Sequence, residues 1–253
     1  MAINVNTVYQ TVLLILNKEQ RGYITPDEFN KTATQVQLDI FEQYFDDLNQ
    51  QLRVPQADID YSDRQMNVDE KISTFKAIGT CNYSSGKFNL PIVDDISGRT
   101  IVYNDAPDQN QYAFYKIGTI TYEPISKNPV ELQRLQRNDF YNIQQSPLTK
   151  STTSFPTYLY EGNKLIVKPD NIQSNIKASF LRKPLNVVWA YSTGGFGQYV
   201  YSSGPSIDFE ILASEQVEVI TRILRYSGII IRDPQIVQAA ASEIQQKEIN
   251  QKS

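Results

Sequence analysis

Apolar residues recur along this chain with two periods, and the switch between them divides it into three. Near the N-terminus Val5, Val8, Val12, Ile15 and Leu16 fall at steps of three and four, the spacing of one face of an amphipathic helix. Gly22 comes next, where glycine suits a left-handed cap. The second segment opens Ile24-Thr25-Pro26-Asp27-Glu28-Phe29. Thr25 reads as an N-cap, Pro26 as the first helical residue and Glu28 as the partner closing a capping box, with Ile24 and Phe29 spaced as a hydrophobic staple. Phe29, Ala33, Val36, Ile40, Tyr44, Leu48 and Leu52 continue one stripe, predicting a helix that ends near Arg53, ahead of Pro55. The short link 21–25 makes the two segments an antiparallel αα-hairpin.

A polar linker comes after it, with a short helix expected around Arg64–Ser73. From Phe75 the period shortens to two. FKAIGT, RTIVYN, AFYKIGTITYE, TYLYEG, NKLIVKPD and NIKASFLRKP are short apolar runs between turn signals, the pattern of antiparallel strands. Ser84-Ser85-Gly86-Lys87, Glu161-Gly162-Asn163-Lys164 and Pro169-Asp170-Asn171 read as turns. PVELQRLQRNDFY, about 129–141, reads as a helix starting at Pro129. Helical spacing returns at the C-terminus. Val217, Ile220, Leu224 and Ser227 share a face flanked by Val219 and Ile223, with Ser214 as N-cap and Gly228 as the stop. Asp233-Pro234 starts another helix, whose stripe Ile236, Ala240 and Ile244 runs to about Asn250. Each hairpin carries an apolar stripe that must be covered. The economical arrangement is an α+β protein: an antiparallel helical bundle from N- and C-terminal αα-hairpins, with an inserted antiparallel β-rich module. The expected divisions are 1–73, 74–205 and 206–253.

Composition narrows the chemistry. The 253 residues include no histidine, one cysteine and one tryptophan, so the usual neutral-pH base and commonest metal ligand is missing. Cys81 cannot form an intrachain disulfide and has no histidine to activate it. A net charge of −4 gives no general affinity for nucleic acid. VLLILN near the N-terminus is too short to span a bilayer and lacks the flanks of a signal peptide; it is read as part of a core helix. Asp58, Asp60, Ser62 and Asp69 miss the glycine and glutamate of a calcium loop. Ser84–Lys87 lacks the first glycine of a P-loop and the hydroxyl after its lysine. The carboxylates Asp46, Asp47, Asp94, Asp95 and Glu42 sit in no recognisable hydrolase context. No catalytic, cofactor-binding or metal-binding residue is assigned, and no enzyme activity is expected.

The unusual count is 16 tyrosines against 11 phenylalanines. Tyrosine joins a large contact area to a polar tip, which suits protein interfaces; compositional drift toward Asn, Lys, Ile and Tyr explains the same count. Gly194-Gly195-Phe196-Gly197 does not open a helix after a parallel strand and reads as the tip of a tyrosine-rich loop, 191–204. Tyr191, Phe196, Tyr199 and Tyr201 in that loop, Arg182 and Lys183 before it, and Ile244 and Ile249 in the polar tail are the candidate contact residues.

Three stretches also resemble a known group. NTVYQTVLLILNKEQRGYITPDEFN is similar to the N-terminal helix pair of virion proteins of crAss-like and related short-tailed bacteriophages. FPTYLYEGNKLIVKPDNIQSNIKASFLRKPLNVVW is similar to their β module, and DFEILASEQVEVITRILRYSGIIIRDPQIVQAAASEI to their closing helices. The resemblance implies a head-to-tail connector, or tail ring (adaptor), subunit in the virion, made in the bacterial cytoplasm. Its implied partners are further copies in a dodecameric ring, the portal protein and neighbouring tail or ring proteins. DNA would be only channel cargo, with no sequence recognition and no membrane contact. The alternatives from other classes are a tail-associated receptor- or carbohydrate-binding protein and a carboxylate-based lysin.

Overall fold

Local caps set the first helices. The computed structural model describes residues 2–18, 23–51, 64–103, 110–125 and 128–230, with Gln238, Ser242, Gln245 and Gln246 as further helical positions. After a short strand β1 (Ala2–Ile3), helix α1 (Val5–Lys18) begins where Asn4 Oδ1 accepts the Thr7 N–H at 3.1 Å, as an N-cap should. Helix α2 (Pro26–Gln51) begins with the expected capping box: the Thr25 N–H and hydroxyl donate to Glu28 Oε2 at 2.9 and 2.7 Å, and the Glu28 N–H donates to Thr25 Oγ1 at 3.3 Å. Val5, Val8, Val12 and Leu16 of α1 are buried, as are Phe29, Ala33, Val36, Ile40 and Tyr44 of α2. The Leu48 and Leu52 side chains fall outside the described residues. Helix α3 (Arg64–Ser73) lies at its expected position and packs on α2.

The chain then enters a second compact unit, Phe75–Lys183; the first comprises Met1–Thr74 and Pro184–Ser253. The second unit contains β2 (Lys76–Ser84), β3 (Lys87–Asn89), β4 (Thr100–Val102), β5 (Gln111–Tyr122), β6 (Val130–Glu131), β7 (Gln133–Arg134), helix α4 (Arg137–Gln145), β8 (Thr157–Glu161), β9 (Lys164–Lys168) and β10 (Ile176–Arg182). Its sheet has nine strands in the order β4-β5-β10-β2-β3-β9-β8-β7, with β6 beside β5. The β4–β5 and β7–β8 pairs are parallel and the rest antiparallel. Two tight hairpins carry positive φ at both central residues, Ser85 and Gly86 in one, Gly162 and Asn163 in the other, as type I′ turns require. Central β10 buries Ile176, Ala178, Phe180 and Arg182 on alternate positions. The Arg182 guanidinium lies 4.1 Å from the Tyr112 ring centre and 5.5 Å from that of Phe75, so its charge rests on aromatic faces.

The α+β class stands, but the expected architecture does not. The β region is a large mixed sheet curled into a half-barrel, not a small antiparallel module inserted in a helical bundle. Residues 130–134, expected to be helical, form β6 and β7, and α4 starts only at Arg137. The reason is long-range pairing. The Leu132 N–H donates to Ile120 O at 2.9 Å, the Gln133 N–H to Pro156 O at 3.0 Å and the Leu135 N–H to Tyr158 O at 3.0 Å, so the segment bridges β5 and β8. Apolar spacing alone cannot distinguish that bridge from a helical turn.

One loop of this unit is held by a buried carboxylate. Asp94 accepts from the Ser97 hydroxyl at 2.5 Å and from the N–H groups of Ser97, Ile78 and Ile96 at 3.1, 3.3 and 3.4 Å. Gly79 lets the same loop approach β2, since a Cβ there would lie 2.4 Å from Pro91 Cβ and 2.6 Å from Val93 O. Burial alone would raise the Asp94 pKa, but the four hydrogen bonds outweigh it and hold the carboxyl below its usual range.

Past Lys183 the chain returns to the first unit, with β11 (Tyr191–Thr193), β12 (Tyr199–Tyr201), β13 (Phe209–Leu212) and helix α5 (Gln216–Ile230) after a 3-10 turn at Ala213–Glu215. The second compact unit ends at Lys183. β13 pairs with β1, and α5 packs on α1 and α2. The face of α5 in the core is Val219, Ile223 and Ser227, while Val217 is 66% exposed and Gly228 is buried inside the helix rather than ending it. The Tyr44 hydroxyl donates to the buried Glu215, which Lys71 of α3 meets at 2.6 Å. The expected C-terminal helix from Asp233 lies largely outside the described residues.

A strand-like segment, rather than a second helical hairpin alone, lies along α2. Asn30 accepts the Trp189 N–H at 2.7 Å and donates to its carbonyl at 3.3 Å. Thr34 Oγ1 accepts the Val187 N–H at 3.1 Å and donates to its carbonyl at 3.4 Å. Gln37 donates to Leu185 O at 2.7 Å and accepts the Glu210 N–H at 2.8 Å. Helical steps of three or four residues rise about 4.5–6 Å and two strand residues span about 6.6 Å, so the two series stay in register.

Stability measurements test both arrangements. Gln37→Ala leaves a buried carbonyl and N–H unpaired and should lower unfolding free energy by about 1–3 kcal/mol, read by urea denaturation; an unchanged midpoint would show that the ladder contributes nothing. Asp94 has a depressed folded pKa, so its contribution is full above the unfolded value of about 3.9 and disappears as pH falls through the folded one. Asp94→Asn should therefore be less stable than the parent at pH 7 by about 1–3 kcal/mol, and the difference should shrink as pH falls from about 4 through the lower folded pKa.

Candidate functional site

The ladder on α2 fixes Trp189, and Trp189 in turn anchors the β11–β12 hairpin. Its indole N–H donates to Asn6 Oδ1 of α1 at 3.0 Å, and its ring centre lies 4.3 Å from that of Tyr9. Tyr9 lies 4.8 Å from Phe29. Tyr191 and Tyr201 both stack on Trp189, at 5.9 and 5.7 Å and within 30° of parallel. These two tyrosines pair directly across the hairpin, as do Ser192 with Val200 and Thr193 with Tyr199. Tyr199 stands edge-on to Tyr191 at 4.8 Å. Such offset and edge-on pairs each add about 0.5–1.5 kcal/mol beyond area burial.

The hairpin tip is tightly specified. The Gly194 N–H donates to Gln198 O at 2.8 Å and the Gly197 N–H to Gly194 O at 2.9 Å. Gly197 has φ +78°, a region that side chains disfavour. The Gln198 side chain folds back, its Oε1 accepting the Phe196 N–H at 3.1 Å. The result is a closed turn that presents Phe196 at 99% exposure.

Beneath the hairpin lies an open cleft of about 550 Å3. Its polar lining is Asn6, Gln10 and Gln198, its aromatic lining is Tyr9, Tyr23, Trp189, Tyr199 and Tyr201, and Leu13 and Gly197 complete it. No charged residue lines it. Burial, then a hydrogen bond with Tyr23, pushes the Tyr9 phenol well above its ordinary pKa, so it stays neutral.

No known protein-family model matches this chain, and no curated protein matches it either.

Of the expected contact residues, Tyr191, Phe196, Tyr199 and Tyr201 come together in this hairpin. Arg182 and Lys183 lie at the end of β10 in the other unit, and Arg182 is buried. Ile244 and Ile249 fall outside the described residues. The cleft residues on α1 and Trp189 itself are not among the sequence-based candidates; the lone tryptophan beside a tyrosine-rich loop is the signal that points to them. Cys81 is buried, and burial pushes its thiol up to about 12, so it is not a nucleophile at neutral pH. Asp94 is taken up by its loop. Among the described residues no group of His, Cys, Asp and Glu is placed to hold a metal ion, and no helix is long and apolar enough to cross a membrane.

Gly197→Ala tests the tip. It should destabilise the turn by about 1–2 kcal/mol, so that the Gly194 amide exchanges hydrogen about tenfold faster or more while the global melting point is unchanged.

Proposed function

We propose that this chain is a structural subunit of the portal–tail connector of a short-tailed bacteriophage, one copy in a ring that joins portal to tail and encloses the DNA path. The observation that carries the reading is Phe196, fully exposed on a turn whose backbone is fixed by hydrogen bonds. An apolar side chain presented on a fixed backbone suits a partner surface, because the backbone ordering entropy is spent before binding. The second unit carries a comparable feature. Leu148 and Phe155 are 97% and 79% exposed, on a loop pinned at its base by Gln144, Ser151 and Thr157, with Ser151 Oγ 2.5 Å from Gln144 Nε2 and 2.7 Å from Thr157 Oγ1. Projecting apolar contacts on each unit suit a subunit with more than one neighbour. The resemblance of the helix pair, β module and closing helix to connector proteins supplies the identity of those neighbours. A net charge of −4 accords with a wall that does not retain passing phosphates.

In purified particles, quantitative mass spectrometry should find this chain near one copy per portal subunit; its absence would remove the structural reading. Phe196→Ser should leave the melting temperature of the free protein within about 1 °C, since nothing buried is lost, yet reduce incorporation into particles. Normal incorporation would rule the tip out as a contact.

A further inference from the structure

The cleft beneath the hairpin has a chemistry that the ring reading does not use. We infer that it is a binding site for a neutral saccharide. Its lining carries no charge, so an anionic or cationic ligand would be desolvated without a counter-ion, which is unfavourable. The Gln10 side-chain amide offers both a donor and an acceptor, while Asn6 and Gln198, whose oxygens already accept from the Trp189 indole and the Phe196 N–H, offer their amide N–H groups. Adjacent hydroxyls of a sugar present both functions and can bond the Gln10 amide at both ends. The apolar C–H face of a pyranose matches an aromatic face, and Tyr199 and Tyr23, 41% and 54% exposed, supply such faces at the rim. Trp189 is 4% exposed and stacked against Tyr191 and Tyr201, so it acts as the fixed back wall. At about 550 Å3 the space falls in the ordinary range of small-ligand sites, about 300–1,000 Å3, and its open side suits a chain that continues beyond the bound units. The Phe196 ring is not part of the lining, so contact with a neighbouring subunit through the tip and saccharide binding in the cleft are separable, and this inference does not rest on the connector reading.

Trp189 is the only tryptophan, and its indole N–H is bonded to the cleft residue Asn6, so tryptophan emission, excited selectively over the tyrosines, reports this site alone. The full chain would be titrated with triacetylchitotriose, maltotriose and cellotriose, and in parallel with a neutral Asn/Gln-rich peptide. The expected result is a saturable fluorescence change with at least one trisaccharide, confirmed by calorimetry. Both Tyr199→Ala and Gln10→Ala should weaken it about tenfold, the loss of one stacking or hydrogen-bonding partner. Gln10 is an exposed helix-surface residue, so its variant keeps the test sound if Tyr199→Ala disturbs the hairpin. Saturation by the peptide with none by the sugars, binding that both variants retain, or no saturable change up to about 10 mM would each overturn the inference.

Discussion

Three polar side chains on one helix hold the first unit together. Asn30, Thr34 and Gln37 use both their donors and their acceptors on the backbone around residues 185–189 and Glu210. An extended segment lying against a helix ordinarily leaves its N–H and C=O groups without partners, since the helix has spent its own. Here the helix answers with side chains spaced to match alternate strand residues. The other edge of the segment is satisfied by main chain, with Val188 and Ile207 exchanging bonds at 3.1 and 2.8 Å. Leu185, Val187 and Trp189 are thereby buried, and the hairpin that grows from Trp189 inherits a fixed base.

How much of this the sequence discloses depends on the range of each interaction. The capping box at Thr25–Glu28, the α3 helix, the turns at Ser85-Gly86 and Gly162-Asn163, and the alternation along β10 are set within a few residues, and each is legible. The bridge at 130–135 depends on β5 and β8, which lie elsewhere in the chain, so its apolar spacing reads as a helix. Val217 looks like core because it keeps step with Ile220 and Leu224, yet the partners of α5 select Val219, Ile223 and Ser227. Asn30, Thr34 and Gln37 read as ordinary polar helix residues in the sequence; only their distant partners reveal their role. The hairpin is legible as a tyrosine-rich excursion, whereas the cleft is not, because much of its lining comes from α1.

Four groups of a kind that can carry reactive chemistry have structural partners here. Asp94 organises a loop through four hydrogen bonds. Glu215 joins Lys71 and Tyr44, tying α3 and α2 to the turn before α5. Arg182 lies over aromatic rings, and the Cys81 thiol stays protonated within the sheet core. The cleft and hairpin left at the surface are aromatic, amide-bearing and uncharged.

The second unit begins and ends on neighbouring strands: the Arg182 N–H donates to Phe75 O at 3.0 Å. Asn30 and Trp189 are 159 residues apart in sequence, a separation that would make their meeting slow if the intervening chain were a free coil. Once residues 75–183 have folded, their two ends are already side by side, and to the rest of the molecule they amount to a hairpin loop of a few residues. Prior closure of the sheet would therefore lower the loop entropy that the helix side chains of the other unit overcome in finding their partners. The same adjacency makes the junction tolerant of exchange, since a different module with neighbouring terminal strands could take this place without lengthening the search.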